Sequence, residues 1–178
     1  SGFLFPFFTS STTMGVGSSL PYYWAINNDK DLTFSPKFYA NENPLFLNEY
    51  RQAFSKGFLT LDTGYTEGYK NTSATKSAGS QNHIFANLNL NLNQDQSYES
   101  NLSIKVQRTN NDTYFRKHDI NTVLVDSENT SLVNEIKYSF GKDDMYLNII
   151  GSMYEDLRKD TNARYEYILP NIMFRKTF

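Results

Sequence analysis

The chain has 178 residues, Lys+Arg 17 against Asp+Glu 19, a net charge of −2 and no cysteine. Such a balance argues against a nucleic-acid partner, which needs a concentrated basic face. The lack of cysteine excludes a disulfide or a thiolate metal site within these residues. The first stretch, Ser1 to Ile26, reads as two extended apolar runs joined by a Ser/Thr turn, with Pro6 inside one run and Pro21 inside the other. Proline has no N–H for a strand ladder and is normally confined to edges and bulges. Two prolines in consecutive strands therefore mark a weak place in the sheet, and in a closed barrel that place is a seam.

Asn27-Asn28-Asp29-Lys30 is a turn signal. In a third strand Leu32, Phe34, Pro36 and Phe38 alternate with Thr33, Ser35 and Lys37. Phe46, Tyr50 and Phe54 continue in a fourth, and Leu59, Leu61, Tyr65 and Tyr69 mark a fifth. Residues 70–82 are poor in apolar side chains and read as a flexible loop. The sixth strand has the clearest pattern: Ile84, Ala86, Leu88, Leu90 and Leu92 alternate with Phe85, Asn87, Asn89, Asn91 and Asn93. Successive strand side chains point to opposite faces, so one face is aliphatic and the other nearly all asparagine. Asparagine is a poor strand former; a wet interior surface accounts for it. The seventh strand sets Leu102, Ile104 and Val106 against Ser103, Lys105 and Gln107. Residues 109–130 form the longest irregular stretch. Leu132 to Phe140, Met145 to Met153 and Tyr165 to Phe174 supply three more strands, with no convincing helix anywhere.

Turns near 27–30, 55–57, 94–97 and 141–144 are short. Those at 71–82 and 109–130 are long, 157–163 is intermediate, and all three fall on one side of an up-and-down sheet. The two connections before them on that side are short. Long loops on one side and short turns on the other is the outer-membrane arrangement, with short turns periplasmic. Strands of about ten residues match a tilted crossing of the hydrocarbon, whereas no apolar run reaches the roughly 18 residues of a membrane helix. Aromatic content is 16%, an excess that suits interfacial girdles. The expected fold is an all-β, antiparallel up-and-down transmembrane barrel, present as about ten strands. Leu88, Leu90, Leu92, Leu102, Ile104 and Val106 are expected to face lipid. Asn87, Asn89, Asn91, Ser103, Lys105 and Gln107 are expected to face the lumen, and Tyr22, Tyr23 and Trp24 to sit at an interface.

Catalytic and metal chemistry finds little support. His83 at a strand start and His118 among Arg116, Lys117 and Asp119 read as solvated loop histidines rather than as parts of a hydrolase. No metal-ligand spacing occurs, Gly15-x-Gly17 lacks the rest of a phosphate loop, and Asp143-Asp144 reads as a turn. Neither a cofactor nor an enzymatic activity is expected.

The motif order GFLFP, LPYYW, a polar turn, DLTFSP and then Asn48-Glu49-Tyr50-Arg51 resembles the start of the membrane barrel of the LptD family, the lipopolysaccharide-assembly proteins of Gram-negative outer membranes. The resemblance is specific over residues 1 to about 55 and looser beyond, as at Asp112-Thr113-Tyr114-Phe115. It implies that residues 1–178 are a single domain, the N-terminal portion of the barrel. A periplasmic jelly-roll would precede Ser1 and further strands would follow Phe178. It also implies that Pro6 and Pro21 weaken a lateral gate through which lipopolysaccharide enters the outer leaflet. Implied partners are lipopolysaccharide, outer-membrane lipid, an LptE-like lipoprotein plugging the lumen, and the periplasmic Lpt bridge docking on the preceding domain. Read from the residues alone, Pro6 could start a strand and Pro21 could sit at a girdle edge. Three other readings also remain open: a complete small barrel ending at the aromatic Phe178, another outer-membrane barrel such as a porin or adhesin, and a soluble β-sandwich binding module.

Overall fold

The computed structural model describes residues 1–68, 79–93, 97–159 and 162–177. Their strands form a single antiparallel sheet, open at both edges. The outermost part is broken into four short segments, β1 (Gly2–Phe3), β2 (Phe7–Ser11), β3 (Gly15–Ser19) and β4 (Tyr22–Asn27). Eight long strands follow: β5 (Lys30–Tyr39), β6 (Leu45–Phe54), β7 (Gly57–Thr66), β8 (Gln81–Asn91), β9 (Glu99–Thr109), β10 (Ser131–Lys142), β11 (Met145–Asp156) and β12 (Tyr165–Lys176). From β4 to β12 each strand pairs with the next in sequence, the meander that alternation and short turns dictate. β1 continues into β2 along one strand position, and β3 into β4 along the next. The twelve segments thus occupy about the ten positions expected.

Cross-strand partners share a face, so the register sorts the side chains. One row runs Trp24, Leu32, Tyr50, Leu61, Ala86 and Val106 across six consecutive strands. Nearer the short turns a second runs Leu90, Leu102, Tyr138, Ile149 and Ile172. These rows make one face apolar and open. On the other face the row Tyr23, Thr33, Glu49, Asp62, Phe85 and Gln107 is mostly polar.

Two sequence expectations fail on this second face. The stretch 109–130 is not merely irregular: it carries a short helix, α1 (Tyr114–His118), and a 3-10 turn also precedes β12 at Asn162–Arg164. α1 ends at Asp119, which is left-handed at φ 46°, and its last turn is basic, with Arg116, Lys117 and His118 beside the negative end of the helix dipole. The segment folds back onto the sheet, and Tyr114, Phe115, Ile120 and Val125 join Leu45, Phe85, Leu132 and Leu157 in a buried cluster. His83 and His118, expected in solvent, are 4% and 2% exposed because this segment covers them. The sheet therefore has an open apolar face and a second face covered at its long-loop end.

Candidate lateral gate and the covered face

The segmentation of the first two strands follows from their prolines. Phe3 pairs with Tyr22, and the Leu4 amide donates to the Pro21 carbonyl at 2.8 Å. Further along, Phe7 pairs with Ser19. Between these points Phe5 and Pro6 stand opposite Leu20 alone, a two-against-one bulge. In an antiparallel ladder the residues of a hydrogen-bonded pair exchange both bonds. Pro21 accepts from Leu4 but has no N–H to return. A net ladder bond is worth about 0.5–1.5 kcal/mol, so the pairing between these strands is loosened without being abolished. Both prolines weaken the same join, the one between the first and second strand positions.

The aromatic trio of this region divides between faces. Tyr22 and Trp24 pair with Phe34 and Leu32 on the open apolar face, whereas Tyr23 pairs with Thr33 on the covered one. Phe3 packs edge-on against Tyr22 with ring centroids 5.2 Å apart. The motif residues Asp31 and Arg51, distant in sequence, are register partners joined at 2.9 Å, with Glu49 at 3.5 Å from the same guanidinium. Sequence reading noted these motifs without seeing that they meet. The signal was their opposite charge at mirrored positions about the intervening turn.

The covered face carries Asn87, Asn89, Asn91, Ser103, Lys105 and Gln107, as paired residues of β8 and β9. Leu88, Leu90, Leu102, Ile104 and Val106 lie on the open face, and Leu92 stands just past the end of β8. Toward the short turns the covered face holds a hollow of about 640 Å³ lined by Lys56, Phe58, Asn89, Asn91, Ser103 and Lys137. Toward the long loops the face is filled. His83 stacks on Phe85 at 4.5 Å and lies 5.5 Å from the Tyr114 ring and 5.6 Å from that of Phe115. A small hollow of about 140 Å³ remains between Asp62, His83, Glu49 and the loop residues Asn121 and Thr122.

Charge fixes the folded segment at two points in its first half. Lys117 of α1 bonds Glu42 of the β5–β6 connection at 2.7 Å. Arg164 bonds Asp112 at 2.7 Å through Nη1 and Glu155 at 2.8 Å through Nε, so β11, the β11–β12 connection and the start of the segment share one guanidinium. Hydrogen bonding to Asp112 and then to Glu155 raises the Arg164 pKa. Burial, reinforced by the charge of Lys117, pulls His118 down to about 4. Burial also raises the Tyr114 phenol. Gln107 and Asn134 replace part of the β9–β10 ladder with side chains: the Gln107 amide donates to Asn134 Oδ1 at 2.9 Å, and the Val133 amide donates to Gln107 Oε1 at 2.7 Å. The long-loop residues 71–78 and the turn residues 94–96 lie outside the described residues. Among the described residues no group of His, Asp and Glu has the makings of a metal centre.

No family model matches the chain. Curated relatives do, each over part of its length. LPS-assembly protein LptD of Shewanella frigidimarina is 50% identical over 50 residues, 28% of this chain and 6% of the relative. LPS-assembly protein LptD of Nitrosococcus oceani is 31% identical over 105 residues, 55% of this chain and 14% of the relative. LPS-assembly protein LptD of Shewanella denitrificans is 63% identical over 35 residues, 20% of this chain and 5% of the relative. The chain is therefore similar to LptD proteins, and it spans a small fraction of their length.

Proposed function

We propose that this chain forms part of the wall of a Gram-negative outer-membrane barrel, where a weakened seam lets lipopolysaccharide move sideways into the outer leaflet. The observation that carries the reading is the one-way pairing of Leu4 with Pro21 beside the Phe5–Pro6 bulge. A wall that must part needs one join weaker than the rest, and every long strand from β5 onward is paired along most of its length with its neighbours. Similarity to LptD supports lipopolysaccharide as the cargo.

In this reading residues 1–178 are one domain, a portion of a larger barrel. The open face of Leu88, Leu90, Leu102, Ile104 and Val106 meets lipid, and Leu92 meets it near the end of β8. The covered face of Asn87, Asn89, Asn91, Ser103, Lys105 and Gln107 lines the lumen. Tyr22 and Trp24 anchor the wall at an interface, and Tyr23 faces inward. The hollow toward the short turns, with Asn89, Asn91, Ser103, Glu135 and Lys137 among its lining, is where an LptE-like lipoprotein or the sugar part of the cargo finds hydrogen-bond partners. A periplasmic Lpt bridge delivers cargo from the short-turn side. No covalent bond is made or broken, so the protein acts by differential pairing and solvation rather than by catalysis.

The test restores the donor missing at Pro21 and removes the ring from the Phe5–Pro6 bulge. Replacing Pro6 and Pro21 by Ala in the full-length protein strengthens the seam, and surface lipopolysaccharide should fall at matched barrel abundance. Undiminished arrival in the double variant removes the gate role from these two residues.

A further inference from the structure

A third proline meets the same point from the other side. β3 and β4 pair with β5 in one continuous register, Ser19 with Lys37 and Tyr22 with Phe34. The residues between them are therefore Leu20 opposite Pro36 and Pro21 opposite Ser35. A strand residue directs its N–H and C=O to the same neighbour, and successive residues to opposite neighbours. The Pro21 carbonyl is bonded by Leu4, so Pro21 addresses β1, and Leu20 beside it addresses β5. There Leu20 meets Pro36, which has no N–H to give. At one level, then, the second strand position lacks a ladder bond on both sides: toward Leu4 because of Pro21, and toward β5 because of Pro36. The Phe5–Pro6 bulge lies opposite the same Leu20. Three consecutive strand positions each place a proline within one residue of the same level, Pro6 and Pro36 opposite Leu20 and Pro21 beside it.

The chain beyond that level is a separate small unit. β2 and β3 pair with one another from Phe7–Ser19 to Ser11–Gly15. β3 is held to β5 by Gly17–Tyr39, Ser18–Phe38 and Ser19–Lys37, by the Ala40 amide on the Val16 carbonyl at 2.9 Å and by the Asn41 amide on the Met14 carbonyl at 3.1 Å. Lys37 Nζ also stands 5.7 Å from the Phe7 ring centre. Below that level, β4 is paired to β5 along its length and to β1 at Tyr22 and Tyr23.

We infer that Pro36 completes a hinge, so that the hairpin Phe7–Ser19 swings away from β5 as a flap, bending at the loosened Leu4–Pro21 join and the Phe5–Pro6 bulge while β1 and β4 stay in the wall. The hairpin tip lies at the same end of the sheet as the long loops. Resting on the reading proposed above, that end is the outer one, and the flap opens toward the outer leaflet while the inner half of the wall stays sealed. Pro36 is thus a positioning residue: it frees Leu20 and touches no cargo itself.

Amide hydrogen exchange on the full-length protein in lipid nanodiscs tests the hinge without reference to transport. Amides of Phe7–Ser19 should exchange faster than those of Tyr22–Asn27. Pro36→Ala should slow the hairpin about two- to tenfold, the change that one net ladder bond brings, with little effect on β6 and β7. A hairpin that exchanges as slowly as β4 in the unaltered protein, or as fast in Pro36→Ala as before, overturns the hinge. A reversible lock supplies the second measurement. Ser18 and Phe38 are register partners, and such pairs have Cα separations of about 5.5 Å, within disulfide range. Ser18→Cys with Phe38→Cys, oxidised, should suppress hairpin exchange and stop surface lipopolysaccharide arrival until the bond is reduced. Suppressed exchange with undiminished arrival upholds the hinge and removes the transport reading; exchange unchanged by the closed disulfide overturns the hinge.

Discussion

A methyl group on Gly64 would stand 2.6 Å from the Tyr114 hydroxyl and 2.4 Å from the His83 ring. Gly64 belongs to β7 and Tyr114 to α1, so the glycine is the recess into which the folded segment seats. Gly64→Ala should cost about 1–3 kcal/mol, the usual penalty for overpacking a filled site. It should also lift α1 from the sheet. Limited proteolysis within 110–130 checks this: cleavage should quicken in Gly64→Ala, and Tyr114→Phe in the same background should restore part of the protection.

Arg164 is the second fastening. Its removal leaves Glu155, 2% exposed on its side chain, as a buried carboxylate without its cation. Breaking one side of a buried pair costs about 3–5 kcal/mol, and the partial exposure of Asp112 places this case at the lower end. Arg164→Met should lower the temperature at which the barrel loses its folded mobility on gels. Arg164→Met with Glu155→Gln should recover much of the loss; equal lability of the two variants would show that the stranded Glu155 carboxylate is not its source.

The folded segment should also loosen in acid. The His118 pKa falls from 6.5 to about 4 because the ring is buried and Lys117 and Lys37 lie near, with Glu42 opposing. The unfolded segment then binds more protons than the folded one wherever pH lies between those values. Stability rises with pH in that window and is lost as pH falls from about 6.5 toward about 4, by up to roughly 3 kcal/mol. His118→Phe should flatten that part of the pH profile of segment protection, and an unaltered profile would dismiss His118 as its source.

The two faces of β8 should tolerate charge differently. Leu90 is one residue from the end of β8, which stops at Asn91, so Leu88 is the better mid-strand position. Leu88→Arg should cost about 2–4 kcal/mol in a membrane, Leu90→Arg less, and Asn87→Arg little. Urea titration of the protein refolded into lipid vesicles measures all three, and equal costs for Leu88 and Asn87 would remove lipid from the open face.

The wall was legible because period-two alternation is a local signal: Ile84 to Asn93 states both faces of β8 in ten letters, and the turn at Asn27-Asn28-Asp29-Lys30 states its own position. Pro6 and Pro21 were also legible, since a missing N–H is a property of the residue. Pro36 was visible too, but its partner was not, because the pairing with Leu20 depends on register across a turn. The covered face was not legible. Tyr114, Phe115, Ile120 and Val125 follow no helical or strand period, so their burial arises from the sheet they land on. Their signal was apolar content in a loop flanked by polar residues. The same folding back overturned the reading of His83 and His118 as solvated, which sequence neighbours alone had favoured.

Contact between cargo and seam tests the proposed path most directly. A photo-crosslinking amino acid at Phe8, 75% exposed on the hairpin, and another at Ile84, 46% exposed on the intact wall, sample the seam and the wall in living cells. With lipopolysaccharide in transit, adducts at Phe8 should form in amounts that fall when delivery is halted, and Ile84 should give a weaker signal that delivery does not change. Adducts at Phe8 and Ile84 that are equal and insensitive to delivery would mean that lipopolysaccharide does not leave through this seam.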